Sequence, residues 1–232
     1  IDMDQAMMSL ALEITCGALF GVDIESEVDE ITAATLTALH GVVARARNPL
    51  ALPFLVPTPA NLKMKRAIKK LDNAVTLIIA ARAANQLPAT APIRDMLDVL
   101  LDPDLETPLS KQQIRDEIVT FIVAGHETVA SALTWAWYLL VTNPTEMKKL
   151  QERPERANLV LTEALRLYPP AWVITRRTLS EFTVEGFTIP ANSLVIVSPW
   201  LVHRNQKAWE QPLQFLPERF ETGTPQLGYI PF

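Results

Sequence analysis

Cysteine is nearly missing from this sequence: Cys16 is the only one in 232 residues. A single thiol excludes an internal disulfide framework and any zinc or iron–sulfur site built from cysteines of this chain alone. Glycine is scarce too, with 7 residues against 18 prolines, and aromatics reach 7%. That balance argues against an all-β sandwich and for helices separated by proline-containing connections. Positive charge is in deficit. Lys and Arg number 21 against 26 Asp and Glu, a net charge of -5 and a pI near 5.3. Such a chain offers no electrostatic footprint for phosphate backbones, so nucleic acid is not an expected partner. A long uncharged apolar run is also lacking: the most apolar stretch, about 117–141, contains His126, Glu127, Ser131 and Thr134. Polar groups are costly in hydrocarbon, so it reads as the buried helix of a soluble core. The sequence opens at Ile1 without an initiator methionine, so an upstream membrane anchor is not excluded.

What is present is 49% hydrophobic and 20% charged, the composition of a globular protein with a sizeable core. Apolar spacing predicts helices over about 4–20, closed by Gly21, and about 27–47. Prolines 49, 53, 57 and 59 then predict a stiff connection, because each fixes its φ and pushes its predecessor out of helix. A helix over about 60–85 follows, with Lys63, Lys65, Arg66, Lys69 and Lys70 read as a solvated face. Ser110 and Gln113 form a capping-box pair that starts a long helix, about 111–142, ending before Pro144. At 1.5 Å per residue it spans roughly 45 Å, and being apolar nearly all round it is expected to run buried through the middle. Two further helices, about 145–151 and 157–167, lead to Pro169 and Pro170. A β region at about 172–198 holds β-favouring runs around Glu185-Gly186 and Pro190-Ala191-Asn192, and residues 203–232 are proline-punctuated and irregular. The expected class is mainly α with a small β region, in one domain.

Within the long helix lies Ala124-Gly125-His126-Glu127-Thr128. Ala124 and Thr128 share a face, Gly125 leaves room for close approach, and the Thr128 hydroxyl can return to the carbonyl of Ala124. Glu127 adds an ionisable carboxyl, so proton delivery beside a flat ligand is one reading. A helix–helix contact through Gly125 is the other. A zinc hydrolase helix is a third, since His126-Glu127 supplies half of H-E-x-x-H, but position 130 is Ala130. Glu163 and Arg166, three apart, would ordinarily be a surface pair worth about 0.2–0.5 kcal/mol. Their sequel is less ordinary: Leu167-Tyr168-Pro169-Pro170, a β region, then Pro217-Glu218-Arg219-Phe220.

These three motifs in this order resemble the cytochrome P450 family, from the helices before the central helix to the proline-rich meander at 203–232. The resemblance implies a P450 fold truncated at both ends, iron protoporphyrin IX (heme b) as cofactor, and monooxygenation of a small apolar organic substrate with dioxygen. Electrons would come from a redox partner, a ferredoxin or flavin reductase, separate or fused. By resemblance Ala124, Gly125 and Thr128 lie over the haem, with Thr128 and Glu127 catalytic in proton delivery. Glu163, Arg166 and Arg219 form a buried ionic triad. Arg176, with Arg177 as its alternative, binds a haem propionate, and Ala124, Val173 and Ile174 face substrate. The final Tyr229-Ile230-Pro231-Phe232 resembles the opening of the family's haem loop, with Phe232 against the cofactor and the axial cysteine expected beyond it, so no metal ligand is assigned within the chain. Cys16, in an apolar helix, is expected to be a buried hydrophobe. The short 146–158 connection is closer to bacterial members and implies a soluble cytoplasmic protein. The alternative is a non-catalytic helical module that binds a small molecule or a partner.

Overall fold

The computed structural model describes residues 2–24, 27–84, 95–104, 106–223 and 228–231. Helices α1 (Met3–Phe20), α2 (Val28–Arg47), α3 (Pro59–Ala84), α4 (Met96–Leu101) and α5 (Lys111–Thr142) come first. Helices α6 (Pro144–Glu152) and α7 (Ala157–Leu167), strands β1 (Ile174–Arg177), β2 (Phe182–Val184), β3 (Phe187–Ile189) and β4 (Leu194–Val197), and helix α8 (Pro199–Val202) follow. Contacts divide the chain into two units, residues 1–130 and 131–232, with α5 contributing to both.

In the first unit, Leu12, Cys16 and Phe20 of α1, Ile31 of α2, Leu71 and Ile78 of α3, Leu97 of α4, and Ile118 and Ile122 of α5 form one buried cluster. Gly21 ends α1 in the left-handed conformation at φ 60°, as its position predicts, and its N–H returns to the last turn. Buried Arg82 pairs with Asp95 and Asp98 and donates to the carbonyl of Phe20 at 2.8 Å, tying α3 and α4 to the end of α1. The proline connection is held by Asn61, whose amide donates to the carbonyls of Pro53 and Val56 at 3.0 and 2.8 Å. Lys65 lies over the Phe54 ring and Lys70 pairs with Glu30 at 3.1 Å.

The capping box forms: the Ser110 N–H donates to Gln113 Oε1 at 2.9 Å, and the Gln113 N–H to Ser110 Oγ at 3.3 Å. The expected all-round burial of α5 does not. Ile118, Ile122, His126 and Ala130, four apart, are fully buried on one stripe, whereas Val129, Tyr138 and Val141 stay exposed. In each unit the described residues cover part of the helix surface and leave the rest open. Among the described residues it is the one helix long and apolar enough to cross a membrane by length and composition.

In the second unit, Ala136, Leu139 and Leu140 of α5 pack with Val160, Ala164 and Leu167 of α7 and with Phe215. Strands β2 and β3 form the hairpin expected at Glu185-Gly186, where both φ values are positive, 47° and 83°, the requirement of a type I′ turn. Strand β1, inside the expected β region of about 172–198, pairs antiparallel with β4. It carries Arg176 and Arg177 where alternation would want apolar residues on one face, and both its arginines are exposed.

Candidate active site

On α5, Ala124, Glu127 and Thr128 fall on an exposed face. Thr128 Oγ1 donates to the carbonyl of Ala124 at 2.7 Å. Gly125 points elsewhere: a Cβ there would come within 2.8 Å of Thr15 Oγ1 and Cγ2 on α1, so its missing side chain serves a helix–helix contact. His126 lies on the buried stripe with neither ring nitrogen hydrogen-bonded, and burial pulls its pKa below the ordinary value, so the ring is neutral at pH 7. Ala130, where a second zinc imidazole would stand, is fully buried, and the described residues contain no cluster of three or more His, Cys, Asp or Glu that could hold a metal.

The second unit brings Glu163, Arg166 and Arg219 together. Arg166 Nε and Nη2 donate to Glu163 Oε2 and Oε1 at 2.7 and 2.8 Å, and Arg219 Nε donates to Oε1 at 3.1 Å. Glu163 and Arg166 are wholly buried. Burying such charges is tolerable only if their remaining hydrogen-bonding capacity is met. Arg166 donates further to the carbonyls of His203 and Pro212, both at 2.7 Å, and of Gln214 at 3.1 Å, while the Leu216 N–H donates to Glu163 at 3.0 Å. Arg219 reaches the carbonyls of Glu210 and Gln211 at 3.0 and 3.3 Å. Spacing alone suggests a weak surface pair; the structure makes these groups the organiser of the irregular 203–220 segment.

Arg176 is exposed, donates only to the adjacent carbonyl of Thr175 at 2.8 Å, and has no carboxylate partner among the described residues. Arg177 is engaged by the carbonyl and the side-chain oxygen of Asn192, at 2.8 and 3.0 Å, so Arg176 is the freer guanidinium. Val173 and Ile174 are half-buried, next to Trp172, which with Trp135, Tyr168 and Trp200 lines an open apolar cavity of about 600 Å³. Trp135 stacks on Tyr168 at 4.0 Å, and Arg204 lies over the rings of Tyr168 and Trp200. Phe232 lies outside the described residues.

Sequence reasoning gave no role to His203 or Trp209, and took Tyr229 only as part of the terminal motif. His203 is wholly buried, its Nδ1 2.9 Å from the carbonyl of Arg166 and its Nε2 2.7 Å from the N–H of Ile230. Burial, with the cations Arg166 and Arg204 nearby, lowers its pKa to about 4. The Tyr229 hydroxyl donates to the carbonyl of Thr162 at 3.1 Å, and burial pushes its pKa up to about 12, so it remains a donor. No local pattern flags these residues, because their partners are 19 to 67 positions away.

Haem fits part of this inventory. Within the first unit, the open α5 face at Ala124 and Thr128 offers a small-residue surface beside a hydroxyl and a carboxylate; within the second, taken by itself, Arg176 has no carboxylate partner among the described residues. Cys16 does not fit as its ligand: it is fully buried in the first-unit core, and burial pushes the thiol up to about 12, far from the thiolate a metal requires.

Comparison with known proteins bears on the family and the fold. The cytochrome P450 family model matches residues 1–232. Cyclooctatin synthase of Streptomyces melanosporofaciens is 31% identical, over 100% of this chain and 55% of its own length. Pentalenene oxygenase of Streptomyces avermitilis is 29% identical, over 95% of this chain and 52% of its own. The crystal structure of CYP175A1 from Thermus thermophilus superposes with a TM-score of 0.76 at 32% identity, covering 100% of this chain and 53% of that one. The chain thus spans about half the length of the relatives it matches. It belongs to the cytochrome P450 family.

Proposed function

We propose that the protein is a haem-thiolate monooxygenase, with iron protoporphyrin IX as cofactor and a small apolar organic molecule as substrate. One atom of dioxygen enters a C–H or C=C bond and the other leaves as water, with two electrons drawn from a ferredoxin or flavin reductase. Relatives carry the names Cyclooctat-9-en-7-ol 5-monooxygenase and Pentalenene oxygenase, which support an oxygenase acting on an apolar carbon framework. The resemblance to bacterial relatives supports a cytoplasmic location.

The observation that carries this reading is the Thr128 hydroxyl, held 2.7 Å from the carbonyl of Ala124 on an open face of α5 beside the Glu127 carboxyl. Bound against that face, haem supplies dioxygen activation. The chain's own residues supply the rest. Thr128 both donates and accepts, so its Oγ1 can pass a proton while the Ala124 carbonyl holds its orientation. Glu127, on the same exposed face, exchanges protons with solvent and recharges Thr128. Ala124 limits bulk next to the substrate, Val173 and Ile174 provide apolar wall, and Arg176 orients a haem propionate by a charge-assisted hydrogen bond. Glu163, Arg166 and Arg219 hold the irregular 203–220 segment in place, and a cysteine thiolate would hold the haem iron.

The test is the ferrous carbonyl spectrum of the complete protein. A red-shifted Soret band, with product formed in proportion to electrons consumed, is expected. Haem bound without that band rejects thiolate ligation, and no haem binding rejects the reading altogether.

A further inference from the structure

Helix α1 meets the Ala124–Thr128 turn of α5 at Gly125. A Cβ there would stand 2.8 Å from both Thr15 Oγ1 and Thr15 Cγ2 and 3.4 Å from Thr15 Cβ, so the two γ atoms straddle the glycine. Threonine is branched at Cβ and restricted at χ1, so this fork has little room to swing aside inside a helix. Only 9% of Thr15 is exposed. The same two helices share apolar clusters to either side of the contact: Leu12 and Cys16 with Ile118 and Ile122, and Met8 and Ala11 with Ala130. Thr15 therefore bears on α5 in the middle of the packed seam rather than at its fringe. Successive residues of an α-helix turn by about 100°, so Ala124 and the fully buried His126 lie on opposite sides of α5, and Thr128 shares the side of Ala124.

Packed interiors are nearly incompressible and transmit displacement, so the separation of α1 from α5 at Gly125 is carried through to the exposed side of that turn. Thr128 Oγ1 is tied to the carbonyl of Ala124 at 2.7 Å, and its hydroxyl therefore moves with the backbone instead of turning to compensate. We propose that Thr15 is a positioning residue: its two γ atoms, seated on Gly125, set how far the Ala124–Thr128 turn stands out from the first-unit core, and with it the place of the Thr128 hydroxyl. This deepens the monooxygenase reading and rests on it for its consequence in proton delivery, while the placement itself belongs to α1 and α5. Thr15 works by shape, since its γ oxygen and its γ carbon stand equally close to the site of the missing Cβ. Shortening Thr15 lets α5 settle toward α1 and draws Thr128 back. A methyl group added at Gly125 pushes Thr128 forward.

The experiment uses the complete, haem-loaded protein with Thr15→Ala, Thr15→Ser, Thr15→Val and Gly125→Ala. Two quantities are read: the position of Thr128 relative to α3 in crystal structures, and the C–O stretching frequency of the ferrous carbonyl form, which senses the groups standing over the iron. Thr15→Ala is expected to draw Thr128 toward α1 by roughly half an ångström, because structure around a deleted group relaxes only in part. Gly125→Ala is expected to move it the opposite way and to shift the stretch with the opposite sign. A merely structural contact lowers stability in both variants and gives no such opposition. Thr15→Val keeps both γ atoms and should match wild type in both quantities, while Thr15→Ser, with one γ atom, falls between. Product formed per electron should fall several-fold in Thr15→Ala and hold in Thr15→Val, since small misplacements of a reacting group are costly. An unmoved Thr128 and an unchanged stretch in Thr15→Ala overturn the proposal. So does a Thr15→Val protein that behaves like Thr15→Ala, which would make the hydroxyl the acting group. If Thr15→Ala does not fold, Thr15→Ser and Gly125→Ala carry the same test. A wild-type protein that binds no haem removes the monooxygenase reading, and the crystallographic position of Thr128 still decides whether Thr15 places it.

Discussion

Gly125 and Thr15 meet across a gap too small for a methyl group, since a Cβ on Gly125 comes within 2.8 Å of the Thr15 side chain. The glycine of the central motif is thus consumed by the packing of α5 on α1, while Ala124 and Thr128 occupy the open face. Gly125→Ala should gain about 1 kcal/mol of helix propensity and lose about 1–3 kcal/mol to overpacking, for a net fall in urea midpoint. Thr15→Ala should restore much of it, because the clash lies with that side chain; a double-mutant cycle measures the coupling. Independent, additive effects would show the contact to be unimportant.

Glu163→Ala or Arg166→Ala leaves a fully buried charge without its partner. The expected loss is about 3–5 kcal/mol, with failure to incorporate haem in the complete protein. Arg219→Ala should cost less, because its side chain is 13% exposed and water can replace it. Denaturant titration and haem content check the order.

Thr128→Ala should leave the fold within about 0.5 kcal/mol of wild type, because the side chain is exposed and bonded only within its own helix. In the complete protein it should divert electrons from product to hydrogen peroxide, and Glu127→Gln should slow turnover. Coupling of electrons to product equal to wild type in Thr128→Ala would remove Thr128 from proton delivery.

His203 titrates near 4 when folded against an ordinary 6.5. Below 6.5 the unfolded chain takes up a proton that the folded one refuses, so its stabilising contribution is full above 6.5 and lost as pH falls through about 4. His126, also lowered by burial, acts in the same direction. Urea midpoints should therefore drop between pH 7 and pH 5, with a shallower slope in His203→Gln.

Cys16 should resist thiol reagents until the protein unfolds, since it is fully buried and held as a thiol. Residues 1–232 alone should not give the red-shifted carbonyl band, and Cys16→Ala in the complete protein should leave that band unchanged. Loss of the band in that variant would make Cys16 the ligand.

Local signals were legible where their cause is local. Gly21 closes α1, Ser110 and Gln113 cap α5, Pro144 and Pro169 bound their helices, and Glu185-Gly186 turns a hairpin, each by backbone chemistry within a few residues. Motif order likewise identified the family without any contact being known. The partial burial of α5 was not legible, because its apolar pattern records what the helix is able to cover rather than what the described residues bring to it.

By itself the sequence determined the helix ends marked by Gly21, Ser110, Pro144 and Pro169, the turn at Glu185-Gly186, and the membership that three ordered motifs disclose. Only tertiary structure decided that Gly125 faces Thr15, that Glu163, Arg166 and Arg219 share one buried cluster, and that His203 joins it to Ile230. Those partners lie 27 to 110 residues apart along the chain, the Glu163–Arg166 pair excepted, and pairing over such separations is chosen by burial and unsatisfied hydrogen bonds, which no local pattern encodes.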